Sequence, residues 1–369
     1  MVLLKFTNEV LEKMQDKKDK YNHKYAKWYY GYSEELKEDY FALSERVKRR
    51  SELINDCLNL WSWDAYHLNK KLHLQKVNRC KNNRFCPNCR KWDLAVAIHN
   101  MKKPFNDLLN KGYYPYLVTL TVPNVPGEEL RETIDKMNKA FRKFFNAFNY
   151  ELVGTTRKGF SERLIQFDGA LKVLEITTRT NEDGSVRDFH PHFHCIFFST
   201  EYHEGLFQKT IPGAWSDKRQ SQNFNSHMDI HIMKLWKMCY DKIRVSVKNY
   251  ENMSDDWWEL YHCDIRELDD NGIYEVMKYT FKDTDIVNYY AFKTLVVSLE
   301  NKRIRQGYGI LYGLKLENET EGEVQTLELD IEEKPEQLLT RAIQELITVY
   351  HSYEKISTRK CLEELKNLE

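Results

Sequence analysis

The segment HPHFHCIFF (residues 190–198) places histidine at every second position and continues directly into an apolar run. Successive side chains of a β-strand point to opposite faces of the sheet, so this spacing predicts a strand with imidazoles on one face and apolar side chains on the other. An apolar segment (169–178) precedes it, and Asp183 and Gly184 between the two form a typical hairpin-turn pair. We therefore predict an antiparallel hairpin. The three imidazoles belong to His190, His192 and His194.

Imidazoles on a common strand face indicate a metal site. Neutral imidazole is the commonest metal ligand, and two from one strand leave positions for a carboxylate, water and substrate oxygens. Glu175, in the partner strand, is the natural carboxylate, because an isolated glutamate facing a core is costly to bury unless it is paired or bound to a cation. One histidine on a strand is more often a hydrogen-bonded core residue. Three at this spacing favour a divalent cation.

The cysteines indicate a second metal site. Cys86 and Cys89 form a CxxC knuckle, with Cys80 six residues upstream and Cys57 further back. Four thiolates suit the tetrahedral preference of zinc, and His73 is the alternative to Cys57. A redox-active CxxC is the competing interpretation, but such motifs belong to a βαβ unit, which this sequence pattern does not show. We predict structural zinc.

The order of elements predicts an α+β fold, with a central antiparallel sheet flanked by helices and an N-terminal helical, zinc-knuckle region. Hairpin-linked central strands favour this over a doubly wound sheet. We divide the chain into a basic, Cys-rich region (1–110), a catalytic domain (111–316) and an acidic segment followed by a long helix (317–369). The spacing of apolar residues in 127–149 predicts a strongly amphipathic helix within the catalytic domain.

Charge is unevenly distributed although the formal net charge is zero. Residues 1–110 carry 22 Lys and Arg against 14 Asp and Glu, whereas residues 317–336 carry nine acidic residues and one lysine. The basic region could attract a polyanion, and the other interpretation is a lysine-rich solvated helical surface. The sequence contains no apolar run of membrane-spanning length and no secretory h-region, so we expect no membrane partner and a cytoplasmic location.

Four segments resemble, in their order along the chain, the motifs of the HUH endonucleases. These segments are YLVTLTVPNV, GALKVLEIT, HPHFHCIFF and YEVMKYTFKDTD. Among these endonucleases, the chain is most similar to the replication initiators of small rolling-circle bacterial plasmids. The segments RCKNNRFCPNC and RIRQGYGIL also resemble parts of those initiators. The resemblance covers residues 55–315.

The resemblance implies a ferredoxin-like HUH palm and site-specific nicking of one DNA strand. It implies that His192, His194 and Glu175 bind Mn²⁺ or Mg²⁺, with His190 outside the two-histidine core of the motif. It makes Tyr279 the nucleophile, which leaves a 5′-phosphotyrosine and a free 3′-hydroxyl primer. Glu275 would activate water at termination, and Lys282 would hold the phosphate.

The implied partner is plasmid origin DNA that is single-stranded or in a hairpin at the nick site. Contacts with a host helicase or polymerase, and homodimer formation, are left open. Basic residues of the N-terminal region are the candidate DNA contacts. These are Arg46, Lys48, Arg49, Arg50, Lys81, Arg84, Arg90 and Lys91.

Two other functions fit parts of the sequence. A zinc-dependent DNA-binding regulator would use the knuckle and the basic helix alone, and would bind DNA without cutting it. A metal-dependent hydrolase of small substrates would use the same histidines and Glu175 with water as nucleophile, and would not need Tyr279.

Overall fold

A computed structural model describes residues 16–66, 71–82, 84–149, 165–202, 207–216, 221–268, 276, 285–314 and 344–350. The chain separates into two compact units. Unit 1 contains residues 1–99 and 318–369, and unit 2 contains residues 100–317. None of the described helices combines the length and the apolar character needed to cross a bilayer.

Unit 1 begins with a pair of helices, α1 (His23–Leu36) and α2 (Phe41–Asp56), which follow a short π-helical turn at Lys18–Asn22. Their shared apolar side is fully buried and includes Tyr25 and Ile54. The exposed side of α2 carries the charged residues, as expected for an amphipathic helix at a surface.

A three-stranded antiparallel sheet completes unit 1. Its strands are β1 (Leu60–Tyr66), β2 (Lys71–Val77) and β10 (Gln344–Tyr350), in the order β10-β1-β2. For residues 344–350 the expected terminal helix is wrong. The sequence QELITVY contains β-branched and aromatic residues, and backbone pairing with β1 gives these residues a partner that helix periodicity cannot reveal. The rest of the expected helix lies outside the described residues.

Unit 2 is built on a five-stranded antiparallel sheet. Its strands are β3 (Tyr114–Thr121), β4 (Gly169–Thr180), β5 (Val186–Ser199), β8 (Cys263–Glu267) and β9 (Arg305–Gly309). Their order in the sheet is β8-β3-β5-β4-β9. Strands β4 and β5 are joined by the predicted Asp183–Gly184 turn, where Gly184 has a φ of +80°. The predicted α+β class with a central antiparallel sheet is confirmed.

Helices cover one face of this sheet. The predicted amphipathic helix is α4 (Gly127–Asn149), and Phe141 on it packs against Phe193 of β5 at 5.6 Å between ring centroids. Trp236 of α5 (His227–Tyr240) also packs against Phe193, at 6.2 Å between ring centroids. Burial of these large aromatic rings stabilises the layer, by about 1.5–3 kcal/mol for each fully buried side chain. The histidines of β5 point to the opposite face.

The remaining described elements are helices, short turns and a second hairpin. Helix α3 (Pro87–Asn110) contains the boundary between the units, and a hairpin is formed by β6 (Ile211–Ser216) and β7 (Ser221–Asn225). Short helix α6 (Val247–Glu251), a 3-10 turn at Trp257–Glu259 and helix α7 (Tyr289–Leu299) follow.

Candidate functional site

Strands β4 and β5 bring Glu175, His192 and His194 together. Glu175 lies directly opposite His192 in the antiparallel register, and His194 is two residues further along β5. Directly opposed residues share a face, as do residues two apart on one strand, so all three side chains project to the same side. The structure thus produces the arrangement that the alternating pattern predicted.

The three side chains converge on one point. Oε2 of Glu175 lies 3.0 Å from Nε2 of His192 and 2.9 Å from Nε2 of His194. One ligand atom from each residue falls within 4.8 Å of the others. All three residues are buried, although the imidazoles keep about a tenth of their side-chain surface exposed. A cation could contact all three donors at once.

The other ring nitrogen of each histidine fixes the ring orientation. Nδ1 of His192 donates to the backbone carbonyl of His190 at 3.1 Å, and Nδ1 of His194 lies 3.3 Å from the hydroxyl of Thr119. Because Nδ1 of His192 donates to that carbonyl, its Nε2 can meet the carboxylate either by donating a proton or by binding the same cation. Two facing lone pairs require a proton or a cation between them, and anchoring of Nδ1 is typical of metal-bound histidine. The donor set fits a divalent cation.

Electrostatics keep Glu175 ionised. Burial raises the pKa of its carboxyl, but hydrogen bonds and charge from His192 and His194 outweigh that effect and hold the pKa well below its usual range. His190 lies outside the cluster, with its ring centroid 4.9 Å from that of His192. Burial lowers the pKa of His190 to about 4, so its ring is neutral at pH 7.

The second cluster joins Cys57, Cys80, Cys86 and Cys89 in unit 1. The Sγ atom of Cys57 lies 3.7 Å from the Sγ atoms of both Cys86 and Cys89. The Sγ atoms of Cys80 and Cys89 are 3.5 Å apart. A tetrahedron with metal–sulfur distances of about 2.3 Å has edges of about 3.8 Å, so the cluster has the size of a metal–thiolate site. All four cysteines are free and buried. The structure places Cys57 in the cluster, and His73 lies on β2 opposite Asp64.

Basic groups accompany this thiol cluster. Lys18 is buried and donates to Asn59, and its pKa is lowered by burial and raised in part by the thiols of Cys57 and Cys86. Nζ of Lys81 is buried and has no hydrogen-bond acceptor in the part of the chain that the structure describes. Four thiolates around a divalent cation carry net negative charge, which buried ammonium groups would offset.

The candidate DNA contacts differ in exposure. Arg46, Arg49 and Lys91 are exposed, whereas Lys81 and Arg90 are buried. The guanidinium of Arg90 donates to the backbone carbonyl of Arg84, so this side chain supports the knuckle. Lys48, Arg50 and Arg84 are partly exposed.

The predicted catalytic residues Tyr279, Glu275 and Lys282 lie outside the described residues. Val276, between two of them, is helical and fully buried. Thr119 is the site residue that the sequence analysis missed. The polar residues of VTLTV alternate with apolar ones just as the histidines do, and this signal could have revealed a third strand of the site.

The fold and these clusters define an α+β protein whose central antiparallel sheet carries a two-histidine, one-carboxylate cluster, accompanied by a four-cysteine cluster. Residues 71–356 match the model of a protein family described as “Replication protein”.

Similar proteins agree with that match. A “Protein rep” from Bacillus sp is 29% identical over 269 residues, which cover 68% of this chain and 74% of the relative. Another from Staphylococcus aureus is 27% identical over 243 residues, covering 64% of this chain and 84% of the relative. No solved structure gives a significant match. The chain belongs to this family of replication proteins, and the resemblance to rolling-circle plasmid initiators is confirmed.

Proposed function

We propose that this replication protein initiates plasmid replication by nicking one strand of origin DNA. The observation that carries the proposal is the convergence of Glu175, His192 and His194 on one face of the central sheet in a member of this family. A Mn²⁺ or Mg²⁺ ion held by these residues would polarise a non-bridging phosphate oxygen and orient the scissile phosphodiester.

Tyr279 is the proposed nucleophile. Its phenol oxygen attacks phosphorus, the bond to the 3′ oxygen breaks, and that oxygen takes up a proton. The products are a 5′-phosphotyrosine and a free 3′-hydroxyl that can prime synthesis. Because tyrosine has an ordinary pKa of about 10, a neighbouring cation such as Lys282 is needed to favour the phenolate.

Glu275 is assigned to termination. Residues 275 and 279 are four apart, so on a helix both side chains lie on the same side and can address one phosphate in turn. Glu275 takes a proton from water, the water oxygen attacks phosphorus in the regenerated nick site, and the bond to the 3′ oxygen breaks. The freed 3′-hydroxyl then attacks the phosphotyrosine phosphorus, so that the strand is rejoined and Tyr279 leaves as the phenol, which releases the protein from DNA.

The four cysteines are assigned to structural zinc, and residues 111–316 to the catalytic part of the chain. The exposed basic residues of α2 and the residue beside the knuckle, Lys91, are assigned to phosphate contacts. The buried Lys81 and Arg90 are assigned to supporting the knuckle.

The test is a nicking assay with 5′- and 3′-labelled single-stranded origin DNA and Mn²⁺. Wild type should give one specific nick with protein attached to the new 5′ end. Tyr279→Phe should give no covalent product, and Glu275→Ala should nick but fail to release. Tyr289→Phe and Tyr290→Phe, the next tyrosines along the chain, are the matched controls and should nick normally.

Normal cleavage by Tyr279→Phe would show that another residue is the nucleophile. DNA binding without cleavage at any divalent-metal concentration would instead favour the DNA-binding regulator.

A further inference from the structure

The hairpin of β6 and β7 carries an aromatic face that points to solvent. In its register Pro212 lies opposite Phe224, and Trp215 lies opposite Gln222. Opposed residues share a face, and so do residues 222 and 224, which are two apart on β7. A register irregularity separates Pro212 from Trp215 on β6, but each keeps its partner on β7, so the four side chains lie along one face of the hairpin.

The aromatic side chains of this surface are unusually exposed. Trp215 is 63% exposed and Phe224 is 46% exposed. Trp258, in the 3-10 turn that lies against β6, is 64% exposed. Large aromatic side chains are normally buried, and clusters of them at a surface mark binding sites.

The base of the hairpin is firmly held. Lys209, two residues before β6, donates to Asp229 of α5 at 2.5 Å and to Asp264 of β8 at 3.0 Å. Ser226, which follows β7, caps α5 through a reciprocal capping box with Asp229. The ribbon is thus attached to the sheet at both ends, and its outer face is free to contact a ligand.

The attachment point lies next to the candidate metal site. Asp264 is directly opposite Thr119 on β3, and Thr119 is directly opposite His194 on β5. These residues stand in one cross-strand row on the same face of the sheet. With neighbouring strands about 4.8 Å apart, the base of the hairpin is about 10 Å from His194.

We propose that the hairpin face formed by Pro212, Trp215, Gln222 and Phe224 binds unpaired DNA bases by stacking on Trp215 and Phe224. Flat uncharged rings suit the faces of nucleobases, which duplex DNA does not expose. The sequence from 217 to 220, between the two strands, carries two basic residues and one acidic residue, which suits the backbone of the same strand. The inference rests on the proposed function, which supplies a single strand at the metal site.

The binding test uses the full chain in a Tyr279→Phe background without Mn²⁺ or Mg²⁺, so that no cleavage consumes the probe. Fluorescence anisotropy would compare a labelled oligothymidylate with an oligomer of abasic deoxyribose phosphates of equal length. Trp215→Ala and Phe224→Ala should each weaken oligothymidylate binding about tenfold and leave the abasic oligomer unaffected. Trp215→Phe should retain binding.

Tyr312→Ala is the matched control. Tyr312 is 81% exposed and follows β9, at the opposite edge of the same sheet from β8. Its substitution should leave both affinities unchanged.

Two results would overturn the proposal. One is a Trp215→Ala/Phe224→Ala double variant that binds oligothymidylate as tightly as its parent, or loses equal affinity for both oligomers. The other is a double variant with unchanged DNA affinity that dissociates a dimer in sedimentation, since the face would then join two copies of the chain.

Nicking is measured separately with the Tyr279 nucleophile restored. Absence of nicking with intact stacking on the hairpin would overturn the proposed function alone. Normal nicking with no loss of oligothymidylate binding in the double variant would overturn the hairpin inference alone.

Discussion

At the scale of single residues, the hydroxyl of Thr119 has a specific task. It lies 3.3 Å from Nδ1 of His194, and a cation bound at Nε2 would require Nδ1 to carry the proton and donate it to this hydroxyl. We expect Thr119→Val to weaken Mn²⁺ binding about tenfold, as is typical when the partner of a metal-bound histidine is removed. Isothermal titration calorimetry on the protein without DNA measures the Mn²⁺ affinity directly.

Thr119→Ser supplies the control, because it keeps the hydroxyl and should bind Mn²⁺ nearly as well as wild type. Thr178→Val changes another threonine of the same sheet and should have no effect on the metal. Equal Mn²⁺ affinity in Thr119→Val and Thr119→Ser would show that the hydroxyl does not orient the ring.

Residue patterns grouped the two-histidine, one-carboxylate cluster, whereas they did not indicate which basic residues are buried. Alternation along a strand fixes which face a side chain occupies, so His192, His194 and Glu175 could be grouped from the sequence. Charge carries no such directional information. Lys81 and Arg90 are as basic as Arg46, yet they are buried beside the thiol cluster, and only the folded chain around them shows this.

At the scale of elements, Asp229 joins α5 to β8. Its buried carboxylate accepts from the backbone of Ser226 at 2.5 Å, from Ile265 at 2.8 Å and from Lys209. Asp229→Ala leaves these buried donors without an acceptor, and we expect a loss of about 3 kcal/mol in the free energy of unfolding. Urea denaturation followed by tryptophan fluorescence measures this loss.

Asp264→Ala is the matched control, because Asp264 contacts the same lysine but its side chain is 42% exposed. An exposed ion pair contributes little, so this variant should lose less than about 1 kcal/mol. Equal losses in the two variants would mean that burial does not strengthen the Asp229 contacts.

Elements with a strong periodic pattern were predicted well. Helix α4 has the predicted bounds, 127–149, because its apolar stripe recurs at helical spacing throughout. Strand β10 was missed because a segment of only seven residues gives no clear period of its own. Its conformation is set by hydrogen bonds to β1, which is distant in the sequence.

At the scale of the whole molecule, the four-cysteine cluster belongs to unit 1 and the two-histidine cluster to unit 2. We expect Cys89→Ser to lose bound zinc and to destabilise unit 1 selectively, since structural zinc contributes directly to folding. Elemental analysis measures the zinc, and hydrogen–deuterium exchange should show faster exchange in α1 and α2 with β4 and β5 unchanged.

Cys239→Ala, a buried cysteine of unit 2, should keep the zinc content of wild type. Full zinc content in Cys89→Ser, or an equal rise in exchange in both units, would contradict this prediction.

The pairing of β10 with β1 has a consequence for synthesis on the ribosome. The edge of β1 that receives β10 emerges early, and its partner is translated only after all of unit 2. Polypeptides that stop short of Gln344 would contain every residue of unit 2 but lack one strand of the three-stranded sheet. Premature termination should therefore leave an unpaired strand edge open to non-native association in nascent chains.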